Sequence, residues 1–301
     1  MNELKNLEAK FKKGVIKKSD YIDKMYDIHK ILWDYFAFIK DRNIEQIEIS
    51  GEQILFTTKD GIKIICDARD ERAIPLEILN FKDYETNELK TIRKFLKKDS
   101  VILDIGANIG WYCLSLSKNV PNGKIFAFEP IPETYKYLKE NIALNNLSNI
   151  YAFNYGIGDE NKEVLFYHNP NMTGATSQKN LHEDKKQTKV KAKIKILDDF
   201  ISKLTEKVDF IKCDIEGSEI FAVKGGLETI KKTLPVIFLE MLRKWSAEYG
   251  YHPNDIILIL KEIGYECFFV KNGKLVKIKK VSENTVATNF FFLHKKHNHL
   301  L

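Results

Sequence analysis

The chain has 301 residues, enough for one sizeable α/β domain with an appendage. Hydrophobic residues make up 44% and charged residues 30%, which allows a packed core and excludes wholesale disorder. The formal net charge of +6 comes from lysines interleaved with nearly as many acids, without the concentrated basic stripe that a nucleic-acid partner would call for.

Four cysteines, Cys66, Cys113, Cys213 and Cys267, stand apart within apolar runs. None has zinc or redox spacing, so buried thiols and a reducing compartment are expected. The opening MNELKNLEAKFKKG has no signal-peptide core, and no run is long enough to span a bilayer. A soluble, cytoplasmic protein is the expectation.

Residues 1 to about 45 read as helical. Leu4, Leu7 and Phe11 recur at helix spacing, and Tyr26–Lys40 carries a wide apolar face. That face needs cover, either from the main domain or from a second subunit in a homodimer. The period then changes. Ile47, Ile49, Ile54, Phe56, Ile62, Ile64 and Cys66 alternate with polar residues across Ser50–Gly51 and Asp60–Gly61, which predicts short antiparallel strands. A helix is expected from Tyr84–Glu85 to about Leu96.

From Val101 onward strands and helices alternate. Strands are expected at Val101–Ile105, Lys124–Glu129, Ile150–Asn154, Val208–Cys213, Pro235–Met241, Tyr265–Val270 and Asn289–His294. Helices are expected at Trp111–Lys118, Pro132–Asn145, Ser218–Ile230 and Asn254–Ile263. This order predicts an α/β fold with a mostly parallel, Rossmann-like sheet. Asn272–Gly273 marks a turn, so the last two strands are expected to pair antiparallel. A polar insertion at about 160–196, flanked by strands at Glu163–Tyr167 and Lys189–Ile196, breaks the alternation and reads as functional. The division expected is an N-terminal segment, 1–82, and a main domain, 83–301.

The informative stretch is VILDIGANIGWYCLSLS. Asp104 ends a strand, then Gly106, Asn108 and Gly110 precede a helix. Glycine permits a sharp turn and close approach to a ligand. The next strand ends in Glu129, where a carboxylate can bridge ribose hydroxyls. A dinucleotide site wants Gly-x-Gly-x-x-Gly around a pyrophosphate. Here the pattern is Asp-x-Gly-x-Asn-x-Gly. Asp104 would repel a phosphate and attract an α-amino group, which favours S-adenosylmethionine over a nicotinamide dinucleotide. A nicotinamide-dependent oxidoreductase is the alternative from another class.

With KIFAFEPIPETYKYLKENIALNN and VDFIKCDIEGSEIFAVKGGLETIKKTLPVIFLE, this stretch closely resembles the FkbM family of S-adenosylmethionine-dependent class I methyltransferases. KIKILDDFI and the Tyr84–Glu85 pair add weaker matches. The resemblance covers about residues 83–294 and implies roles. Asp104, Gly106, Asn108 and Gly110 would line the methionine end of the donor. Glu129 would hold the ribose, Asn154 and Gly156 would meet the adenine edge, and Glu85 would reach the donor's carboxylate or amino region. The bulky Trp111 departs from the small residue common there and is expected to pack the helix.

A hydroxyl acceptor needs a base at the carboxyl ends of the strands. Asp214, Glu216 and Glu240 gather there, with Glu219 deeper in the helix. Crowded carboxylates raise the pKa of at least one member. Asp214 is the first choice as base or acceptor anchor, also touching the donor side; Glu216 and Glu240 follow. The same acids could instead hold Mg²⁺. His168, His182 and His252 are alternative bases, His182 first because the insertion can cover the site. Thr173, Gly174, Thr176 and Ser177 suit recognition of a polyol. The acceptor expected is a sugar, nucleotide-sugar or polysaccharide unit, the alternative a small-molecule secondary metabolite.

Overall fold

A computed structural model describes residues 3–51, 53–181 and 187–300. The chain opens with α1 (Glu3–Lys12), α2 (Lys18–His29) and α3 (Ile31–Phe38). The expected second helical stretch is thus divided at Lys30. None of the three helices buries a residue, and Trp33 and Phe36 are 64% and 68% exposed. The main body therefore does not cover the apolar face, contrary to one of the two expected packings. Among the described residues no helix is long and apolar enough to cross a membrane.

The predicted alternation then forms β1 (Gln46–Ser50), β2 (Gln53–Thr57) and β3 (Lys63–Cys66), a three-stranded antiparallel sheet. Two helices follow, α4 (Ile74–Phe81) and α5 (Thr86–Phe95). The first of them was not expected.

The alternating region runs β4 (Val101–Ile105), α6 (Trp111–Ser117), β5 (Lys124–Phe128), α7 (Pro132–Leu144) and β6 (Ile150–Phe153). The insertion adds β7 (Gly156–Gly158), β8 (Lys162–His168) and β9 (Thr188–Ile196). Then come β10 (Phe210–Cys213), α8 (Glu219–Gly225), α9 (Leu227–Thr233), β11 (Val236–Glu240), α10 (Arg243–Glu248) and α11 (Pro253–Glu262). The chain closes with β12 (Tyr265–Lys271), β13 (Lys274–Ile278) and β14 (Asn289–His294).

The main sheet has the order β13-β12-β14-β11-β10-β4-β5-β6. The five strands from β11 to β6 are parallel. β14 enters antiparallel between β11 and β12. The Asn272–Gly273 turn, with both residues at positive φ, leads into β13 rather than to the last strand. The expected antiparallel pairing of β12 with β14 holds, but an extra hairpin strand lies between them in sequence. The strand order reverses between β4 and β10, which opens a crevice at their carboxyl ends.

One apolar core lies on each face of the sheet. On one face α5, α6 and α7 pack with Phe56, Ile64 and Ile78 from the N-terminal strands and α4. Asn141 of α7 ties the two parts together, accepting from the Ile65 N–H at 2.9 Å and donating to the Ile109 carbonyl at 2.8 Å. The other face packs under α8, α9 and α11. The single helix expected over Ser218–Ile230 breaks at Gly225–Gly226. A Cβ on Gly225 would stand 1.9 Å from the Gly158 carbonyl oxygen, so β7 crosses the helix there in backbone contact. At α11, His252 and Asp255 form a reciprocal cap around Pro253, and Gly264, at φ 96°, ends the helix.

Candidate active site

A cavity of about 360 Å³ opens beyond the carboxyl ends of β4, β5, β10 and β11. One side is the turn after β4. Gly106, at φ 76°, brings the chain so close to the loop after β10 that a Cβ would lie 1.9 Å from the Asp214 carbonyl oxygen. No other residue fits that cradle. Asn108 takes a left-handed conformation, φ 50°, and its Oδ1 accepts the Ile109 N–H at 2.6 Å. Glu129, 6% exposed, accepts the Asn108 N–H at 3.0 Å and the Ile131 N–H at 2.9 Å. Burial pushes its carboxyl up to about 7 against the pull of those two bonds. A carboxylate has lone pairs beyond those two contacts, and Glu129 lines the cavity.

Asp104 sits beneath this floor. It is 1% exposed, and its Oδ2 accepts the Cys113 N–H at 3.1 Å. The parallel register sets Lys212 directly beside it. Lys212 Nζ lies 3.5 Å from Asp104 and 3.9 Å from Asp214, and donates to the Gly106 carbonyl at 2.7 Å. Burial alone would depress the Lys212 pKa; Asp104, Asp214 and Glu85 outweigh it and hold the ammonium charged. A buried carboxylate without that partner would be costly. Lys212 is thus the organising cation of the site. Its signal in the sequence was a charged residue within an apolar strand.

The wall beyond the ends of β10 and β11 is acidic. Oxygen atoms of Asp214, Glu216 and Glu240 come within 4.8 Å of one another. Burial, followed by the charges of Asp214 and Glu216, pushes Glu240 far above the ordinary carboxylate range. Glu216 moves the same way, by burial and then Asp214. At neutral pH Glu240 keeps its proton and stands within hydrogen-bond reach of Asp214. The loop is held by Glu219, 1% exposed, which accepts the Ile215 and Gly217 N–H groups at 3.0 and 3.1 Å and the Tyr251 hydroxyl at 3.2 Å. It leaves Glu216 at φ 53° and Gly217 at φ 93°. Glu219 shapes the loop and does not face the cavity.

Of the residues singled out from the sequence, Glu85, Gly106, Asn108, Glu129, Asp214, Glu216 and Glu240 line the cavity. Glu85, at φ 50°, is pushed up to about 7 by burial. Asp104, Gly110, Asn154 and Gly156 do not reach the cavity wall. Gly110 begins α6 at φ 104°. Asn154 donates to the Glu129 and Pro130 carbonyls at 3.0 and 3.1 Å, and Gly156 leaves room for Ile194. These residues support the floor from behind. His182 lies outside the described residues. His168 is 3% exposed and bonds Thr176 at 2.8 Å, behind the cavity rather than in it. Trp111 packs edge-on against Tyr84 at 6.0 Å and also lines the cavity. Its Nε1, buried, has no hydrogen-bond partner among the described residues.

The insertion covers the cavity as the sequence led one to expect, but the part that residues 70–77 play in this roof was not foreseen. Asp70 accepts from the Thr173 hydroxyl at 2.6 Å and its N–H at 3.3 Å, and the Glu71 N–H donates to the Asn171 carbonyl at 2.9 Å. This seam joins the N-terminal segment to the insertion and brings Arg72, Met172 and Thr173 to the cavity, across from Leu242 and Trp245.

The strand order and the glycine cradle at its switch point define a class I, Rossmann-like methyltransferase fold. The Methyltransferase FkbM domain matches residues 104–267, more than half of the chain, and the chain belongs to that family. Methyltransferase 1 of Beauveria bassiana (strain ARSEF 2860) is 29% identical over 148 residues, 42% of this chain and 58% of that protein. The 2-O-methyltransferase NoeI of Sinorhizobium fredii (strain NBRC 101917 / NGR234) is 30% identical over 167 residues, covering 49% of this chain and 68% of its own. Hexuronic acid methyltransferase AglP of Haloferax volcanii is 24% identical over 217 residues, 71% of this chain and 79% of that protein. The match thus spans less than two thirds of the length of the Beauveria relative. Membership of this family implies S-adenosylmethionine as the donor and sets aside the nicotinamide alternative.

Proposed function

We propose that the chain is an S-adenosylmethionine-dependent O-methyltransferase whose acceptor is a hydroxyl of a sugar, nucleotide-sugar or polysaccharide unit. The observation that carries it is the convergence of Asp214, Glu216 and Glu240 in the same cavity as the Gly106 turn, with Asp214 directly beside that turn. The absence of a side chain at Gly106 lets the two loops close on each other and form the floor of the cavity, on which the donor would lie. Glu129 holds the ribose through its remaining lone pairs. Asn108 and Glu85 flank the amino-acid end, with Asp104 and Gly110 as its support. When bound, the donor supplies a methyl carbon already activated by a sulfonium.

A hydroxyl attacks that carbon well only as its proton leaves. Asp214 takes the proton; its side chain is 38% exposed, and Glu240, protonated, donates to it and holds its orientation. Lys212 Nζ, 3.9 Å away, offsets negative charge at that point. The C–O bond forms as the C–S bond breaks, and the proton ends on Asp214. Thr173 and Thr176 line the roof with their hydroxyls engaged by Asp70 and by His168 and the Thr173 carbonyl, so they shape the acceptor space. The similarity to NoeI, a 2-O-methyltransferase, and AglP, a hexuronic acid methyltransferase, supports the acceptor class.

The test is methyl transfer from labelled donor to hexosides, nucleotide-sugars and polysaccharide, after calorimetric titration with S-adenosylhomocysteine. An alkali-stable methyl ether on sugar is expected. Transfer only to amines or peptides would sink the proposal.

A further inference from the structure

The cavity lining is crowded with carboxylates, yet among the described residues it holds two cations, Lys212 and Arg72. They differ in how they are held. The Lys212 side chain is 4% exposed and committed to Asp104, Asp214 and the Gly106 carbonyl. The Arg72 side chain is 66% exposed and meets one acid, Glu77, at 3.5 Å from Nε. Its two terminal nitrogens hold no partner among the described residues.

The backbone beneath this guanidinium is fixed. The Arg72 N–H donates to Asp70 at 3.0 Å, while the other oxygen of Asp70 is bound to Thr173. Asp70 is 4% exposed and is used up by the seam, so it does not neutralise Arg72. The guanidinium is near enough to Glu216 to pull that carboxyl's pKa down, against the larger effect of burial. It thus shares the cavity wall with Glu216.

We propose that Arg72 reads an anionic group, a carboxylate or a phosphate, carried by the acceptor close to the hydroxyl that is methylated. This rests on the acceptor site proposed above and narrows its substrate class. The physical argument has two halves. A planar guanidinium with its outer edge open matches a carboxylate or phosphate with paired N–H donors. Lys212 is committed to Asp104, Asp214 and the Gly106 carbonyl, so among the described residues Arg72 is the lining cation left to orient an anion. A neutral acceptor gains nothing from Arg72. An anionic acceptor gains charge-assisted hydrogen bonds from it.

The test is calorimetry on protein saturated with S-adenosylhomocysteine. The probes are methyl hexuronides, hexose 6-phosphates and neutral methyl hexosides of gluco, galacto and manno configuration. Wild type is expected to bind at least one anionic probe about tenfold or more tighter than its neutral counterpart. The tighter of the uronide and phosphate series identifies the source of the charge. Arg72→Gln is expected to erase the preference, leaving neutral-probe and S-adenosylhomocysteine affinities within about twofold, and Arg72→Lys to keep part of it. The proposal is overturned if wild type shows no anionic preference, if Arg72→Gln keeps it, or if that variant weakens S-adenosylhomocysteine as strongly as the sugars. Anionic preference without transfer to any hydroxyl would instead sink the acceptor reaction and leave the role of Arg72 standing.

Discussion

The Gly106–Glu129 side of the cavity is built from one stretch of chain, and backbone does most of the shaping. Two left-handed turns and two N–H groups held by Glu129 set it. The rest of the wall gathers side chains from four distant segments, around residues 70–77, 172–176, 214–216 and 240–245. Its character is electrostatic. The first side can recognise a constant ligand by shape. The second can change acceptor by exchanging a few side chains on loops and the inserted roof. The family match begins at Asp104, so Arg72 and the rest of the N-terminal contribution to the roof fall outside it.

If the two sides divide the work in this way, single substitutions should separate turnover from donor binding. The largest effect is expected on the acidic side. Asp214→Asn should lower kcat by roughly 10²–10⁴ while leaving S-adenosylhomocysteine affinity within about twofold. Weakened donor binding with normal turnover at saturation would break the division. Glu129→Ala should do the reverse, weakening S-adenosylhomocysteine about tenfold or more by titration. Unchanged affinity would refute the ribose assignment.

The division also explains what could be read before the fold was known. Gly106, Asn108 and Glu129 were legible because each answers a local demand, a turn or a strand end, at fixed spacing. Asp104 was legible as important but not in its place: a carboxylate at a strand end reads as facing the ligand, and only the register with Lys212 shows it buried beneath the floor. Arg72 carried no pattern. It lies in an irregular connection whose position depends on the long-range bonds of Asp70 and Glu71 to the insertion. The break at Gly225 was hidden for the same reason, since its cause is Gly158, far off in sequence. The apolar stripe of α2 and α3 was read as a face needing cover, and periodicity could not say that this body leaves it exposed. Local chemistry shows in a sequence; contacts between distant segments do not.

A pH experiment sharpens the comparison on the Glu129 side. Burial raises the Glu129 pKa from 4.5 to about 7 in the folded chain. The folded state then binds the proton more tightly than the unfolded state. Glu129 contributes stability in full below pH 4.5, and that contribution is lost as pH rises through about 7. Glu219 has the same sign and window. Glu129→Gln removes one titrating group. Its Tm relative to wild type should therefore rise between pH 5 and pH 8, by about 3 °C or more. A constant difference between the two proteins across that range would show that Glu129 is ionised throughout.

The smallest effect expected is that of divalent cations, and it tests the acidic side. Three carboxylates with oxygens within 4.8 Å are the donor set a hard cation takes. Two features already neutralise them: Lys212 Nζ stands 3.9 Å from Asp214, and Glu240 holds a proton. A dication would have to expel that proton and sit beside a buried ammonium, which disfavours a metal here. Adding EDTA or Mg²⁺ should thus change turnover by less than about twofold. A rise of about tenfold with Mg²⁺ would make the three acids ligands, remove Asp214 as the free base, and shift the catalytic charge from the protein to the metal.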